Sequence, residues 1–70
     1  MTTLDLHGIR HHEVQSLVEN FILMNQGDFP LEIICGNSKK MIELVYEVTE
    51  RLGLETHSYL YGTIVIRRWI

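Results

Sequence analysis

Leu31-Glu32-Ile33-Ile34-Cys35-Gly36-Asn37-Ser38-Lys39-Lys40-Met41 decides the fold. Its first five residues are mostly apolar, with β-branched Ile33 and Ile34, and predict a well-buried strand. Gly36-Asn37-Ser38 is a tight turn, and Ser38 is suited to cap the N-terminus of a helix. Met41, Leu44, Val45, Val48 and Leu52 then recur at three- and four-residue spacing as the inner face of that helix, and Gly53 ends it. Upstream, Thr3-Leu4-Asp5-Leu6 alternates and is stopped by Gly8, which predicts a short strand. Val14, Leu17, Val18, Phe21 and Ile22 form one helical face running from Arg10 to Met24. Asn25 to Pro30 supplies the stop, because Gly27 can end a helix and Pro30 can only begin the next element. Downstream, Glu55 to Tyr59 and Thr63 to Trp69 flank Tyr61-Gly62 and predict a hairpin.

The order β-α-β-α-β-β predicts a two-layer α/β sandwich, a four-stranded mixed sheet with two helices on one face, as a single domain over residues 1–70. Right-handed crossovers with both helices on the same face make the sheet grow in one direction. The apolar, β-branched last strand suits a central place and the polar third strand an edge. The expected spatial order is therefore 1-2-4-3. If Leu4, Leu6, Ile64 and Ile66 face the helices, then Asp5, His7, Val65, Arg67 and Trp69 share the uncovered face.

Seventy residues with 46% hydrophobic content are enough for one core and argue against disorder. One cysteine, Cys35, excludes an internal disulfide and points to a reducing, cytoplasmic setting. The N-terminus lacks a basic segment followed by an apolar one, and no apolar run is long enough to span a bilayer, so no membrane partner is expected. Beginning at Met1 and ending on a strand, the chain is expected to be a complete minimal protein. The net charge of −3 does not suit a protein that holds nucleic acid by bulk charge. The distribution is uneven, however. Before Gly36 the only Lys or Arg is Arg10; after it come Lys39, Lys40, Arg51, Arg67 and Arg68.

Leu4-Asp5-Leu6-His7-Gly8 carries the chemistry. Asp5 and His7 are two residues apart on a strand and project to the same side, and Gly8 lets the chain turn and a ligand approach. His7 can act as acid or base near neutral pH, or donate to phosphate when charged. The same residue types also fit a solvated strand carboxylate and a histidine bonded to backbone. The turn at Cys35-Gly36 offers backbone N–H groups of Asn37, Ser38, Lys39 and Lys40 at a helix N-terminus, where partial positive charge favours an anion. Both turns lie at the C-terminal ends of parallel strands, the usual ligand side of an open α/β sheet. A capped helix with two solvated lysines fits the same residues. His11 and His12 with Asp5 match no strong metal-ligand spacing, and a divalent cation is left open as a cofactor. Cys35 reads either as a thiol acidified at a helix start or as a small buried residue ending a strand. Trp69, Tyr59 and Tyr61 suit base stacking, core packing or a dimer contact.

Leu4-Asp5-Leu6-His7-Gly8 also resembles the LDLHG motif that opens domains of the Smr (small MutS-related) family. An amphipathic helix follows it there, as Val14 to Ile22 do here. The family's second motif, HGxG, corresponds to Cys35-Gly36-Asn37-Ser38, where Gly36 alone is kept and the histidine and final glycine are replaced. Gly62-Thr63-Ile64-Val65-Ile66 resembles the family's closing strand. The resemblance implies a fold like the C-terminal domain of bacterial translation initiation factor 3. It also implies nucleic-acid binding, on RNA, DNA or a ribosome or other ribonucleoprotein. Several members are endonucleases, and the resemblance makes Asp5 and His7 the catalytic candidates. Gly8, Gly36, Asn37, Ser38, Lys39, Lys40, Arg67 and Trp69 are then the nucleic-acid-binding candidates. Two other readings stand beside the nuclease. One is a non-catalytic nucleic-acid or ribonucleoprotein binding module; the other is a small interaction protein that forms a homodimer through the open sheet face.

Overall fold

A computed structural model describes residues 1–70. Strands β1 (Thr2–Asp5), β2 (Leu31–Ile34), β3 (Leu54–Leu60) and β4 (Thr63–Trp69) form one mixed sheet in the order β1-β2-β4-β3. Helices α1 (His11–Met24) and α2 (Lys39–Leu52) alternate with the first strands, and a short 3-10 turn, Gln26–Asp28, precedes β2. The expected architecture and strand order are both observed. β1 runs parallel to β2, whereas β4 is antiparallel to both β2 and β3.

Local chemistry explains the boundaries. Ser38 Oγ accepts the Met41 N–H at 3.1 Å, which caps α2. Gly53, at φ +79°, ends the same helix with its N–H bonded back to Thr49 and Glu50. Residues 61 and 62 form the two-residue tip between β3 and β4.

The core lies between the sheet and the helices. Leu6, Val14, Val18, Ile22, Leu31, Ile33, Val45, Val48 and Ile66 are wholly buried there. Each such side chain contributes about 1.5–3 kcal/mol relative to exposure. Thr49 joins this layer although it is polar; its hydroxyl donates to the Tyr46 carbonyl at 3.1 Å, which satisfies it locally. Two surface contacts tie the helices together, Gln15 to Glu47 and Arg51 to Glu19, each at 2.7 Å. No helix is long and apolar enough to cross a membrane.

Register sorts the side chains of the two faces. Thr3, Glu32, Val65 and His57 are successive cross-strand partners, so they share a face. It is the uncovered face, because the flanking partners Leu4, Ile33 and Ile64 pack with the core. Asp5, Ile34, Thr63 and Leu60 form the next row on that face. The uncovered face therefore carries Asp5, Glu32 and Glu55, with Arg68 paired to the last.

One expectation about this face fails. Ile66 pairs with Thr56 and Arg68 with Glu55, which leaves Arg67 as an unpaired bulge residue in β4. The extra residue reverses the alternation beyond it. Trp69 pairs with Leu54, a core residue, and meets Phe29 edge-on with ring centroids 6.2 Å apart. Trp69 thus lies at the rim of the helix-covered side, and Arg68 takes the open side beside Glu55 at 2.5 Å. His7 keeps to the Asp5 side, its ring bonded to the Asp5 carboxylate, although it belongs to the turn beyond β1.

Candidate functional site

Asp5 and His7 meet through a turn. One carboxylate oxygen, Asp5 Oδ1, accepts the His7 backbone N–H at 2.9 Å and lies 2.5 Å from His7 Nδ1. An aspartate that bonds the backbone two residues on is an Asx turn. The local hydrogen bond fixes the carboxylate, and the ring folds back onto the same oxygen. The Ile9 N–H donates to the Leu6 carbonyl and closes the turn, with Gly8 at φ +79° as its third residue. The strand alternation expected to align Asp5 with His7 is not what pairs them.

The hydrogen bonds to His7 hold the Asp5 carboxyl below its ordinary value of 3.8, the backbone bond contributing most. An ionised Asp5 on Nδ1 favours the tautomer with its proton there and leaves Nε2 with a free lone pair. Both side chains are open to water, His7 at 67% and Asp5 at 56% exposure.

Nε2 faces the second turn. A Cβ placed on Gly36 would sit 3.0 Å from His7 Nε2, and Gly36 holds φ +71°. The two glycine-bearing turns that lie far apart in the chain are thus packed together at the C-terminal ends of β1 and β2. The hairpin tip completes the cluster. The Cys35 N–H donates to the Gly62 carbonyl at 2.6 Å, and a Cβ on Gly62 would fall 2.1 Å from the Gly36 carbonyl oxygen. Gly62 is therefore required by contact as well as by its φ of +87°. Sequence reading placed the hairpin turn but had no signal for this contact, which joins residues 26 apart.

Cys35 is 4% exposed within the core, and burial pushes its thiol up to about 11. The reading of a thiolate acidified by the helix start is overturned; this is a small buried residue ending a strand. Cys35 places no reactive group beside His7, so Asp5 and His7 stand as an isolated pair. Asn37, Lys39 and Lys40 are exposed and Ser38 is half-buried, all on the same end of the molecule as His7. Ser38 Oγ spends itself on Met41, and its carbonyl accepts the Ile42 N–H. The N–H groups of Lys39 and Lys40 have no intrahelical acceptor, being the first of α2.

The candidate nucleic-acid contacts do not form one set. Thr63 lies beside Ile34 at the His7 end of the sheet, and Ile66 beside Leu31 at the other end. Arg67 and Trp69 lie beyond Ile66, roughly 13–20 Å along β4 from Thr63. Gly8, Gly36, Asn37, Ser38, Lys39 and Lys40 share the His7 end, Gly36 in contact with its ring; Arg67 and Trp69 lie at the other end. Sequence reasoning missed Arg10, which precedes α1 and shares the His7 end. Arg51 and Arg68 are paired with carboxylates; Arg10, Lys39, Lys40 and Arg67 are not. Three of those four unpaired cations lie at the His7 end, together with the carboxylates of Asp5 and Glu13, and both helices also present their positive N-terminal poles there. The signal was the topology, since both crossover helices must begin where their parallel strands end.

No three His, Cys, Asp or Glu side chains converge as a ligand set for a metal ion. The surface hollows, one along α1 at Ile9, Glu13, Ser16, Leu17 and Asn20 and one at Glu55, Arg68, Trp69 and Ile70, both exclude Asp5 and His7. The pair stands on an open shelf rather than in a pocket. No family model, curated protein or solved structure matches this chain.

Proposed function

We propose that this chain is an Smr-like nucleic-acid-binding domain that cleaves phosphodiester bonds with Asp5 and His7. The observation that carries the reading is the Asp5–His7 pair, aimed by its Nε2 at the Gly36 turn amid the unpaired cations Arg10, Lys39 and Lys40. Asp5 orients the ring and stabilises the imidazolium that forms. His7 Nε2 takes a proton from the attacking oxygen, a water or a ribose 2′-hydroxyl, as that oxygen bonds to phosphorus, the P–O bond to the leaving strand breaks and solvent water protonates the departing oxygen. Lys39, Lys40 and the first N–H groups of α2 hold the phosphate and offset its developing charge. An open shelf admits a polymer, whereas small ligands are taken into concave pockets. A cytoplasmic setting, where nucleic acids and ribonucleoproteins are at hand, agrees with a free thiol that no disulfide uses.

A second reading, binding without cleavage, is favoured by one observation: Cys35, at the place of the second motif's histidine, is buried and offers the pair no acid or base. A cleavage assay separates the two. Wild type and His7→Ala are incubated with labelled single-stranded RNA and with supercoiled DNA, in magnesium, manganese or chelator. Cleavage by wild type and its loss in His7→Ala is the expected result, and the cut substrate distinguishes RNA from DNA. Equal cleavage by both proteins would remove His7 from the chemistry, and retention of either nucleic acid without cleavage would leave the binding module.

A further inference from the structure

Tyr59, Leu60 and Tyr61 are consecutive, and all three are strongly exposed at the tip of the β3–β4 hairpin. None of them belongs to the hydrophobic core or packs against it. Tyr59 has a ring neighbour, His57, at 4.1 Å on the same strand, and Tyr61 has none. Two phenol rings in water add nothing to folding that a polar turn residue would not. Their placement is nonetheless specific. The tip belongs to the His7 end of the sheet, since Leu60 pairs with Thr63 and Thr63 with Ile34. Gly62, next to Tyr61, is clamped to the Gly36 turn, against which His7 rests. That chain of contacts sets Tyr61 on the order of 10–15 Å from the imidazole at most.

The tip is also stiffened. Ser58 Oγ lies 3.1 Å from the Leu60 carbonyl oxygen and 2.8 Å from that of Thr63, sharing its one proton across the base of the turn. The backbone that carries the two rings is thus fixed before anything binds. The surroundings select the occupant. Lys39, Lys40 and Arg10 border the same end, beside Asp5 and Glu13, and on the uncovered sheet face Glu55 is paired with Arg68. A phosphate backbone is drawn to the end that holds Arg10, Lys39 and Lys40. Aromatic rings beside a phosphate track are the pattern of single-strand binding, in which bases stack on side chains. Bases inside a duplex are hidden from such rings.

We propose that Tyr59 and Tyr61 form a base-stacking subsite that makes single-stranded nucleic acid the substrate class of the His7 site. The proposal rests on the nucleic-acid reading above, and the test keeps the two separable. Fluorescence anisotropy measures binding of a short fluorescein-labelled oligouridylate, and of an abasic oligomer with the same number of phosphates, to the His7→Ala protein, which cannot cut the probe. The base-containing strand is expected to bind roughly tenfold tighter for each base stacked. Adding Tyr61→Ala or Tyr59→Ala should remove most of that preference and leave abasic binding unchanged, whereas Tyr61→Phe should retain it. Equal affinity for the two oligomers would overturn the subsite and leave the nucleic-acid reading standing. A base preference that survives both alanine substitutions would overturn the assignment to these tyrosines. No binding of either oligomer would overturn the subsite and the nucleic-acid reading together.

Discussion

Replacing Gly62 by alanine tests the contact that joins the hairpin to the site. The new Cβ would lie 2.1 Å from the Gly36 carbonyl oxygen, which is backbone and cannot swing aside like a side chain. Alanine at φ +87° also carries the left-handed penalty, about 1–2 kcal/mol. Relieving the clash separates Gly62 from Cys35 and strands the buried Cys35 N–H, which costs about 1–3 kcal/mol. The sum is roughly 2–5 kcal/mol, against a total stability of about 4–10 kcal/mol for a domain this size. Gly53→Ala is the control. Gly53 has a similar φ of +79°, but nothing lies within 4 Å of its added Cβ, so only the conformational penalty applies. Urea unfolding followed by circular dichroism, with both midpoint and slope fitted, should place Gly62→Ala well below Gly53→Ala, and Gly53→Ala below wild type. Equal losses for the two variants would refute the close approach of Gly62 to Gly36, and with it the rigid link between hairpin and His7.

Further outcomes follow from the site and its supports. Because bonds from His7 hold the Asp5 carboxyl below 3.8, the pair stabilises the fold fully above that value, and the contribution is lost as pH falls through the lower folded value. Urea midpoints of wild type and Asp5→Asn measured between about pH 2 and 7 should therefore differ at neutral pH and converge in acid; a constant gap would contradict the pairing. Ser38→Ala removes the α2 cap and should cost about 1 kcal/mol by the same assay, and an unchanged midpoint would mean that the cap is not formed. Cys35, buried and raised to about 11, should resist a disulfide-exchange reagent at mildly alkaline pH in the native protein and react at once in urea; rapid native reaction would show an exposed thiol.

Much of the fold was legible residue by residue. Helix faces repeat every three to four positions, strands alternate, and Ser38, Gly53 and Gly62 mark boundaries by chemistry that acts within a few residues. Val14, Val18 and Ile22 on α1, and Met41, Leu44, Val45 and Val48 on α2, are buried as their spacing predicts. The order β1-β2-β4-β3 followed because crossover handedness and a polar edge strand leave few arrangements. Asp5 and His7 were recognisable as a pair for the same local reason, although the Asx turn that unites them was not.

Tertiary structure decided what no local pattern carries. The bulge at Arg67 depends on how β3 seats against β4, and one extra residue sends Trp69 to the opposite face from the one alternation predicts. Arg10, Lys39 and Lys40 are neighbours of His7 only because both helices start at one end of the sheet. The approach of Gly62 to Gly36, and of His7 to Gly36, joins residues 26 and 29 apart in the chain. Periodicity and capping are properties of a short segment and can be read from it. A contact between distant backbones exists only once packing has set the distance between them.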